Sequence, residues 1–521
     1  MNKLVEKIEA EGLCIANSIP ALHPLDVHNT KWRDYAHPID WKNPTPSGRY
    51  NLIVLGAGPA GLVAAAGAAG LGAKVALVER ELMGGDCLNV GCVPSKAFIR
   101  AARAVADARD ANLYGVQVDG APRVDFGAVM ERVRRLRSQL SEHDSVARYT
   151  ELGVDVYIGE AHFVDSDHVE VAGQTLEFAR ALIATGARAI PAPIEGIDTV
   201  QYLTNETVFT LTELPSRLAV IGAGPIACEM AQAFARLGSE VTLIEAERRI
   251  MPREDADAAE IVEAEMKRDG VRIICGGKTA EIRESDDEKV LRMICMGEEH
   301  EIRVDEILIG VGRAPNVDAL NLEAANVAYD RRKGVQVDDH LRTSNPRIYA
   351  AGDVASKYQF THAADAMARI VLRNALFFGR AKASALTIPW CTFTDPEVAH
   401  VGMNAETAEQ NGIEVDVLTT PLSEVDRAVL DGEDAGFFRV YLRRGSDQIV
   451  GATLVARHAG DMISEITALM VAGKGLGTMA NTIHPYPTQS EVIKRTADAY
   501  SRTRITPRVK GLFNTLLAWR R

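Results

Sequence analysis

The apolar positions of this 521-residue chain follow one arrangement that occurs twice. Asn51-Leu-Ile-Val-Leu55 is a short unbroken apolar run, which predicts a buried strand. Gly56-Ala-Gly58-Pro-Ala-Gly61 follows as a tight turn, Leu62 to Leu71 reads as an Ala-rich helix, and Lys74-Val-Ala-Leu-Val78 reads as the next strand. The same order returns as Leu218-Ala-Val-Ile221, Gly222-Ala-Gly224-Pro-Ile-Ala227, a helix to about Leu237, and the strand Glu240-Val-Thr-Leu-Ile244. The offset, from Gly56 to Gly222, is 166 residues, which predicts a duplicated fold unit and not a solenoid. Farther along, Pro389 to Val398 and Phe437 to Leu442 read as strands, with a helix around Asp461 to Ala472. Residues 1 to 48 lack a period, are polar, and carry prolines at 20, 24, 38, 44 and 46. They read as an irregular extension that wraps or precedes the first domain.

A Gly-rich turn alone is a weak signal, but here each turn has a strand before it, a helix after it and an acid at the end of the next strand. Glycines let the backbone approach a pyrophosphate at the helix N-terminus, and Glu79, 23 residues beyond Gly56, is placed to accept from an adenosine ribose. The second turn ends in Ala227, an allowed variant, and Glu245 lies 23 residues beyond Gly222. A carboxylate there favours the free ribose hydroxyls of NADH and repels a 2′-phosphate. Arg248 and Arg249 close by keep NADPH as the less favoured donor.

Cys87 and Cys92 stand five positions apart in Gly84-Gly85-Asp86-Cys87-Leu88-Asn89-Val90-Gly91-Cys92-Val93-Pro94-Ser95-Lys96. Pro94 is placed to open a helix just after Cys92, and a helix N-terminus with Lys96 nearby would hold a thiolate at Cys92. Reversible disulfide chemistry needs that lowered thiol pKa and an electron source. The alternatives are a structural zinc site or two inert thiols. Zinc would need two further ligands at matching spacing, and Cys14, Cys228, Cys275, Cys295 and Cys391 are scattered singly, so no metal site is expected. Two dinucleotide sites and a dithiol together imply an electron carrier between nicotinamide and sulfur, and a flavin is the obvious one.

On these residues the chain resembles the class I pyridine nucleotide-disulfide oxidoreductases, the family of dihydrolipoamide dehydrogenase, glutathione reductase and mercuric reductase. The resemblance covers roughly residues 49 to 500. Besides the two turns and the dithiol run, it rests on Ala184-Thr185-Gly186, Gly310-Val-Gly312-Arg313-Ala-Pro315-Asn316 and Tyr349-Ala-Ala-Gly352-Asp353. It implies an α/β fold with two Rossmann-like dinucleotide-binding domains, for FAD and NAD, plus a C-terminal α+β dimerisation domain. The expected divisions are an extension at 1–48, an FAD-binding domain at 49–197, an NAD(P)-binding domain at 198–317, a return to the central FAD side at 318–388, an interface domain at 389–505 and a basic tail at 506–521. By the same resemblance Gly56, Gly58, Gly61, Glu79, Thr185, Gly186, Gly352 and Asp353 would hold FAD, while Gly222, Gly224, Ala227, Glu245 and Gly312 would hold NAD. Cys92 would face the flavin as its charge-transfer thiolate, Cys87 would meet the substrate, and Lys96 would pair with Glu229 beside the reactive flavin edge. A homodimer is implied, because the last domain would complete the partner's active site.

The pattern departs at His484-Pro485-Tyr486-Pro487-Thr488-Gln489-Ser490-Glu491. Disulfide reductases place a histidine directly before Pro-Thr and a glutamate five residues later, so that imidazole shuttles the proton of thiol exchange. Here Tyr486 takes that place and Glu491 keeps its own. An unperturbed tyrosine, with a pKa of about 10, is a poor base at neutral pH. His484, two residues away, would substitute if the turn exposes it. Mercuric reductases share the tyrosine, yet the cysteine pair that typically ends them is missing from Leu516-Leu-Ala-Trp-Arg-Arg521. The first reading is therefore a mercuric reductase-like enzyme passing electrons from NADH through FAD and the Cys87/Cys92 disulfide to a small-molecule or thiol-bound metal acceptor. The second is a dihydrolipoyl dehydrogenase or low-molecular-weight disulfide reductase, and a third is a low-turnover flavin redox sensor or membrane-docked partner protein.

Composition narrows this only at the margins. Hydrophobic residues make up 47% and charged residues 25%, an ordinary soluble mixture, and the net charge of −13 argues against a nucleic-acid partner. The charged opening, Met1 to Ala10, lacks an apolar signal core, and seven cysteines in so long a chain suit a reducing compartment, so a cytoplasmic protein is expected. Lys494 to Arg521 is basic and moderately amphipathic. It reads as a solvated terminal helix packed on its own domain, with an anionic membrane or a protein partner as the alternative contact.

Overall fold

The structure is a computed structural model, and it describes residues 22–120, 122–286, 288–295 and 298–521. Cys14 lies outside the described residues.

Five parallel strands form the first sheet, in the order Ile348–Ala350, Ala181–Ile183, Leu52–Leu55, Val75–Glu79 and Val154–Ile158. All four residues of Leu52–Leu55 are buried, as an unbroken apolar run covered on both faces requires. The second sheet is also parallel, in the order Arg272–Cys275, Glu240–Glu245, Arg217–Ile221 and Glu306–Ile309. Each Gly-rich turn leads into a helix, Pro59–Gly70 in the first unit and Pro225–Leu237 in the second. The first helix starts three residues before the expected Leu62. Pro59 supplies the reason, because its fixed φ suits the first helical position and its missing N–H costs nothing there.

A five-stranded antiparallel sheet follows, in the order Pro389–Thr392, Glu397–Gly402, Ile449–Ala456, Phe437–Arg443 and Val415–Pro421. The single strand expected over 389–398 is instead a hairpin whose connection spans residues 393–396. The neighbouring unit grips that connection: Asp395 N–H donates to Gln232 Oε1 at 2.8 Å and Arg236 donates to Asp395 Oδ2 at 2.8 Å. The helix Ala459–Val471 covers this sheet.

Packing between units sets the site. In the helix Cys92–Arg109, Phe98 packs against Phe234 of Pro225–Leu237 with ring centroids 4.8 Å apart and the rings tilted by 53°, and Phe126 closes the cluster at 6.2 Å from Phe98. Burying such a side chain stabilises by about 3 kcal/mol, so the two helices, one from each unit, are locked side by side.

Two expectations need correction. The extension is not irregular throughout, because Val27–Ala36 is a helix capped by Asp26, whose Oδ1 accepts from Asn29 N–H at 2.7 Å. Its run VHNTKWRDYA holds too few apolar residues to show a period, but Trp32 and Ala36 are buried against the first unit. The tail does not pack on its own domain either. The helix Glu491–Thr503 packs on the antiparallel sheet, yet the helix that follows, Pro507–Trp519, has no buried residue. Among the described residues no helix is long and apolar enough to cross a membrane.

Candidate functional site

Cys87 lies on a short helix, Gly85–Asn89, entered through Gly84 in the left-handed region at φ 103°. The next helix begins at Cys92 itself, with Pro94 in its first turn. The Cys92 sulfur therefore sits where unpaired backbone N–H groups and the helix dipole favour an anion. A second helix also starts at this sulfur: Thr361, first residue of Thr361–Leu376, has its Oγ1 3.5 Å from Cys92 Sγ. Both cysteines are free thiols. The Cys87 thiol donates to Cys92, and together with Thr361 and the Lys96 charge it lowers the Cys92 pKa to about 6, against a burial that would raise it. Cys87 is pushed up by that same hydrogen bond, with burial adding to the effect. The proton of the pair thus resides on Cys87 and the negative charge on Cys92.

One turn into the Cys92 helix, Lys96 Nζ donates to Glu229 Oε2 at 2.9 Å. Glu229 is 3% exposed, and its second oxygen accepts from Phe393 N–H at 2.9 Å, so both carboxylate oxygens are occupied. Lys96 also rests over the Phe393 ring, 4.3 Å from its centroid. The pair is thereby held by three elements distant in sequence, including the hairpin turn.

The two Gly-rich turns share a geometry that fits dinucleotides. Gly56 and Gly222 have φ of 101° and 97°, and a Cβ on either would collide with a backbone carbonyl, that of Ala184 or Gly310. Glu79 Oε2 accepts from Ala57 N–H at 2.8 Å, and Glu245 Oε2 from Ala223 N–H at 2.6 Å, which fixes each acid at the lip of its turn. Gly58 and Gly61, with Gly224 and Ala227, complete the two helix entrances. In the first unit, Thr185 Oγ1 donates to the Asn316 carbonyl at 2.7 Å and Asn316 N–H donates back to Gly186, tying the Ala184-Thr185-Gly186 loop to the strand after Gly312. Asp353, beside Gly352, is raised to about 6 by burial, opposed by Arg313 at 3.8 Å. Arg313 also pairs with Asp86, the neighbour of Cys87. A half-buried carboxylate facing a guanidinium, next to an open Gly-rich turn, suits the polar ribityl and phosphate groups of a flavin dinucleotide. In the second unit Arg249 donates to the carbonyls of Met251, Pro252 and Glu254, at 2.8 to 3.2 Å, so its guanidinium is committed to its own loop.

The outer segment is arranged otherwise. Tyr486 is 70% exposed, and its hydroxyl donates to Asp426 Oδ2 at 2.9 Å, a contact that pushes its pKa above the ordinary tyrosine value. The turn does not expose His484, contrary to the condition set by the sequence. Its side chain is 6% exposed, with Nε2 3.0 Å from Glu465 Oε1 but out of hydrogen-bonding alignment. Glu491 Oε1 accepts from Arg495 at 3.1 Å, while its buried Oε2 has no partner among the described residues. No hydrogen bond or ion pair among the described residues joins Tyr486, His484 or Glu491 to Cys87 or Cys92 of the same chain.

Sequence reasoning missed Thr361 and a clamp on the dithiol loop. Trp32 of the extension donates from Nε1 to Asn89 Oδ1 at 2.8 Å, and Arg137 donates to the Asn89 carbonyl at 2.8 Å and to Asn29 Oδ1 at 2.7 Å. The Arg137 guanidinium lies over the Trp32 ring, 3.7 Å from its centroid. Burial, with repulsion from Arg134, lowers the Arg137 pKa to about 10. The available signal was a tryptophan in a polar extension, and an asparagine between the two cysteines.

Residues 50–368 match the family described as pyridine nucleotide-disulphide oxidoreductase, and residues 388–497 match its dimerisation domain, which supports a homodimer. The chain is 35% identical to a mercuric reductase of Staphylococcus aureus over 86% of its own length and 82% of that protein. It is 34% identical to a dihydrolipoyl dehydrogenase of Chlamydia muridarum over 85% of its length and 95% of that protein. Among solved structures, the HOCl-induced flavoprotein disulfide reductase RclA from Escherichia coli superposes with a TM-score of 0.77 at 28% identity, covering 86% of this chain and 99% of that one. Its Cu(II) complex superposes with a TM-score of 0.76 at 28% identity, over 85% and 98%. The chain belongs to the pyridine nucleotide-disulphide oxidoreductase family, whose members depend on FAD and take electrons from NAD(P)H.

Proposed function

We propose that this chain is an NADH-linked reductase that delivers two electrons to a soft divalent metal ion held by Cys87 and Cys92, in the manner of a mercuric reductase. The observation that carries the reading is the contrast at the dithiol. Cys92 is a ready thiolate, whereas the segment expected to serve thiol exchange offers an exposed tyrosine whose pKa is pushed up and a histidine buried against Glu465. Thiolates bind soft ions without a base, because the proton of Cys87 is displaced directly by the metal. FAD, when bound, would supply the two-electron carrier between nicotinamide and the thiolate-held metal ion. NADH and M(II) then give NAD⁺, a proton and M(0), while both sulfurs stay reduced. Lys96, held by Glu229, keeps a positive charge near the Cys92 thiolate, and Thr361 donates to that thiolate. Glu245, with Arg249 committed to its own loop, favours NADH over NADPH.

A disulfide acceptor such as lipoamide is the second reading. It is favoured by Glu491, whose buried unpartnered oxygen stands where the family's imidazole partner carboxylate belongs. An anaerobic screen following NADH oxidation with mercuric ion, lipoamide, glutathione disulfide and quinones decides between them. The highest kcat/KM is expected for mercuric ion, and an equal or higher value for lipoamide overturns the first reading. A kcat/KM with NADPH comparable to that with NADH overturns the donor preference.

A further inference from the structure

The last helix, Pro507–Trp519, is capped by Thr506, whose Oγ1 accepts from Val509 N–H at 3.3 Å, so it is a formed helix and not frayed chain. Among the described residues it nevertheless buries nothing. Leu512, Phe513, Leu516, Leu517 and Trp519 are all exposed, Trp519 at 83%. At 100° per residue Val509, Leu512, Phe513 and Leu516 share one face, with Leu517 and Trp519 at its two margins. Arg508 and Lys510 project at those same margins, and the opposite face carries only Pro507, Gly511, Asn514, Thr515 and Ala518. From Ala499 to Arg521 there are six basic residues and no acidic one, in a protein whose net charge is −13.

We propose that this helix is an interfacial anchor that lies on an anionic phospholipid surface. The chemistry selects that occupant. An apolar face rimmed by cations sinks its side chains below the headgroups while Arg508, Lys510, Arg520 and Arg521 meet the phosphates, and Trp519 takes the interfacial level that indole prefers. The helix spans only 13 residues, too few to cross a bilayer, so it lies in the surface plane. The consequence is a reductase held at the membrane surface by one face per chain, and twice in a dimer, where the second contact is made at high effective concentration.

The test is cosedimentation of the FAD-loaded, full-length protein with vesicles of phosphatidylglycerol and phosphatidylcholine, against vesicles of phosphatidylcholine alone. Binding to the anionic vesicles is expected, with a drop of at least about tenfold in 0.5 M salt or on pure phosphatidylcholine. The variant L512N/F513N/L516N should lose about a hundredfold in vesicle affinity, and R508Q/K510Q about tenfold, both with native flavin content and unchanged NADH turnover. Absence of binding to anionic vesicles at low salt overturns the proposal. So does equal binding by the L512N/F513N/L516N variant, or a change in its solution mass showing that the face is instead covered by a second copy of the chain.

Discussion

The two halves of the dithiol site are built by opposite means. The inner half, around Cys92, is complete within one chain and over-determined: two helix N-termini, a lysine fixed by a buried glutamate, and a clamp on the intervening loop all converge there. The outer half, from Thr482 to Glu491, spends its side chains on its own domain, with Tyr486 on Asp426, His484 against Glu465 and Glu491 on Arg495. A thiolate must be prepared before any acceptor arrives, so its surroundings are rigid. The segment that the family resemblance would bring to the acceptor is instead engaged by neighbours of its own domain, and there this chain leaves the disulfide-reductase pattern.

The contrast breaks most sharply at Cys92. Cys92→Ser should lower NADH-driven acceptor reduction by on the order of a thousandfold and abolish the long-wavelength thiolate-to-flavin absorbance; a surviving band would refute the assignment of the thiolate. Lys96→Met strands the buried Glu229 carboxylate and should destabilise the fold by about 2 kcal/mol in urea unfolding, less than for a fully buried pair because Lys96 is a third exposed. The double variant Lys96→Met/Glu229→Leu should recover part of that loss. Trp32→Phe removes the donor to buried Asn89 and should cost about 1 to 2 kcal/mol, with a weaker thiolate band because the loop between the cysteines loosens.

Thr361→Val tests the electrostatics alone. The folded-state pKa of Cys92 lies below that of a free thiol, so the thiolate is present above about pH 6 and is lost as pH falls through that value. Removing the Thr361 hydrogen bond, worth about 1 kcal/mol, should move the midpoint of iodoacetamide alkylation up by about 0.7 unit. An unchanged midpoint would assign that threonine a purely structural role. The smallest effect is expected on the outer side. Tyr486→Phe should change reduction of the dithiol by NADH by less than about twofold, since an exposed hydrogen bond contributes little. Tyr486→His should raise lipoamide turnover, and no gain would show that the segment lacks more than its base.

Local chemistry explains which parts were legible in the chain. Gly56 and Gly222 were readable because their φ values near 100° exclude a side chain, and Glu79 and Glu245 because a fixed spacing carries an acid from one strand end to the neighbouring turn. The Cys92 helix was readable from Pro94. The hairpin at Asp395 was not, since its turn is fixed by Gln232 and Arg236 from another unit. The extension helix escaped notice for the same reason, having an apolar face only where Trp32 meets the dithiol loop.

By itself, the sequence determined two dinucleotide turns, a redox-competent cysteine pair and a tyrosine where exchange chemistry wants histidine, because backbone sterics and residue identity act over a few positions. Tertiary structure alone decided that Thr361, 269 residues from Cys92, reaches its sulfur, that His484 is shut away, and that the last helix finds nothing on its own domain to cover it. Those outcomes depend on which surfaces meet, and hydrophobic period along a chain records that a face is apolar without recording what it packs against.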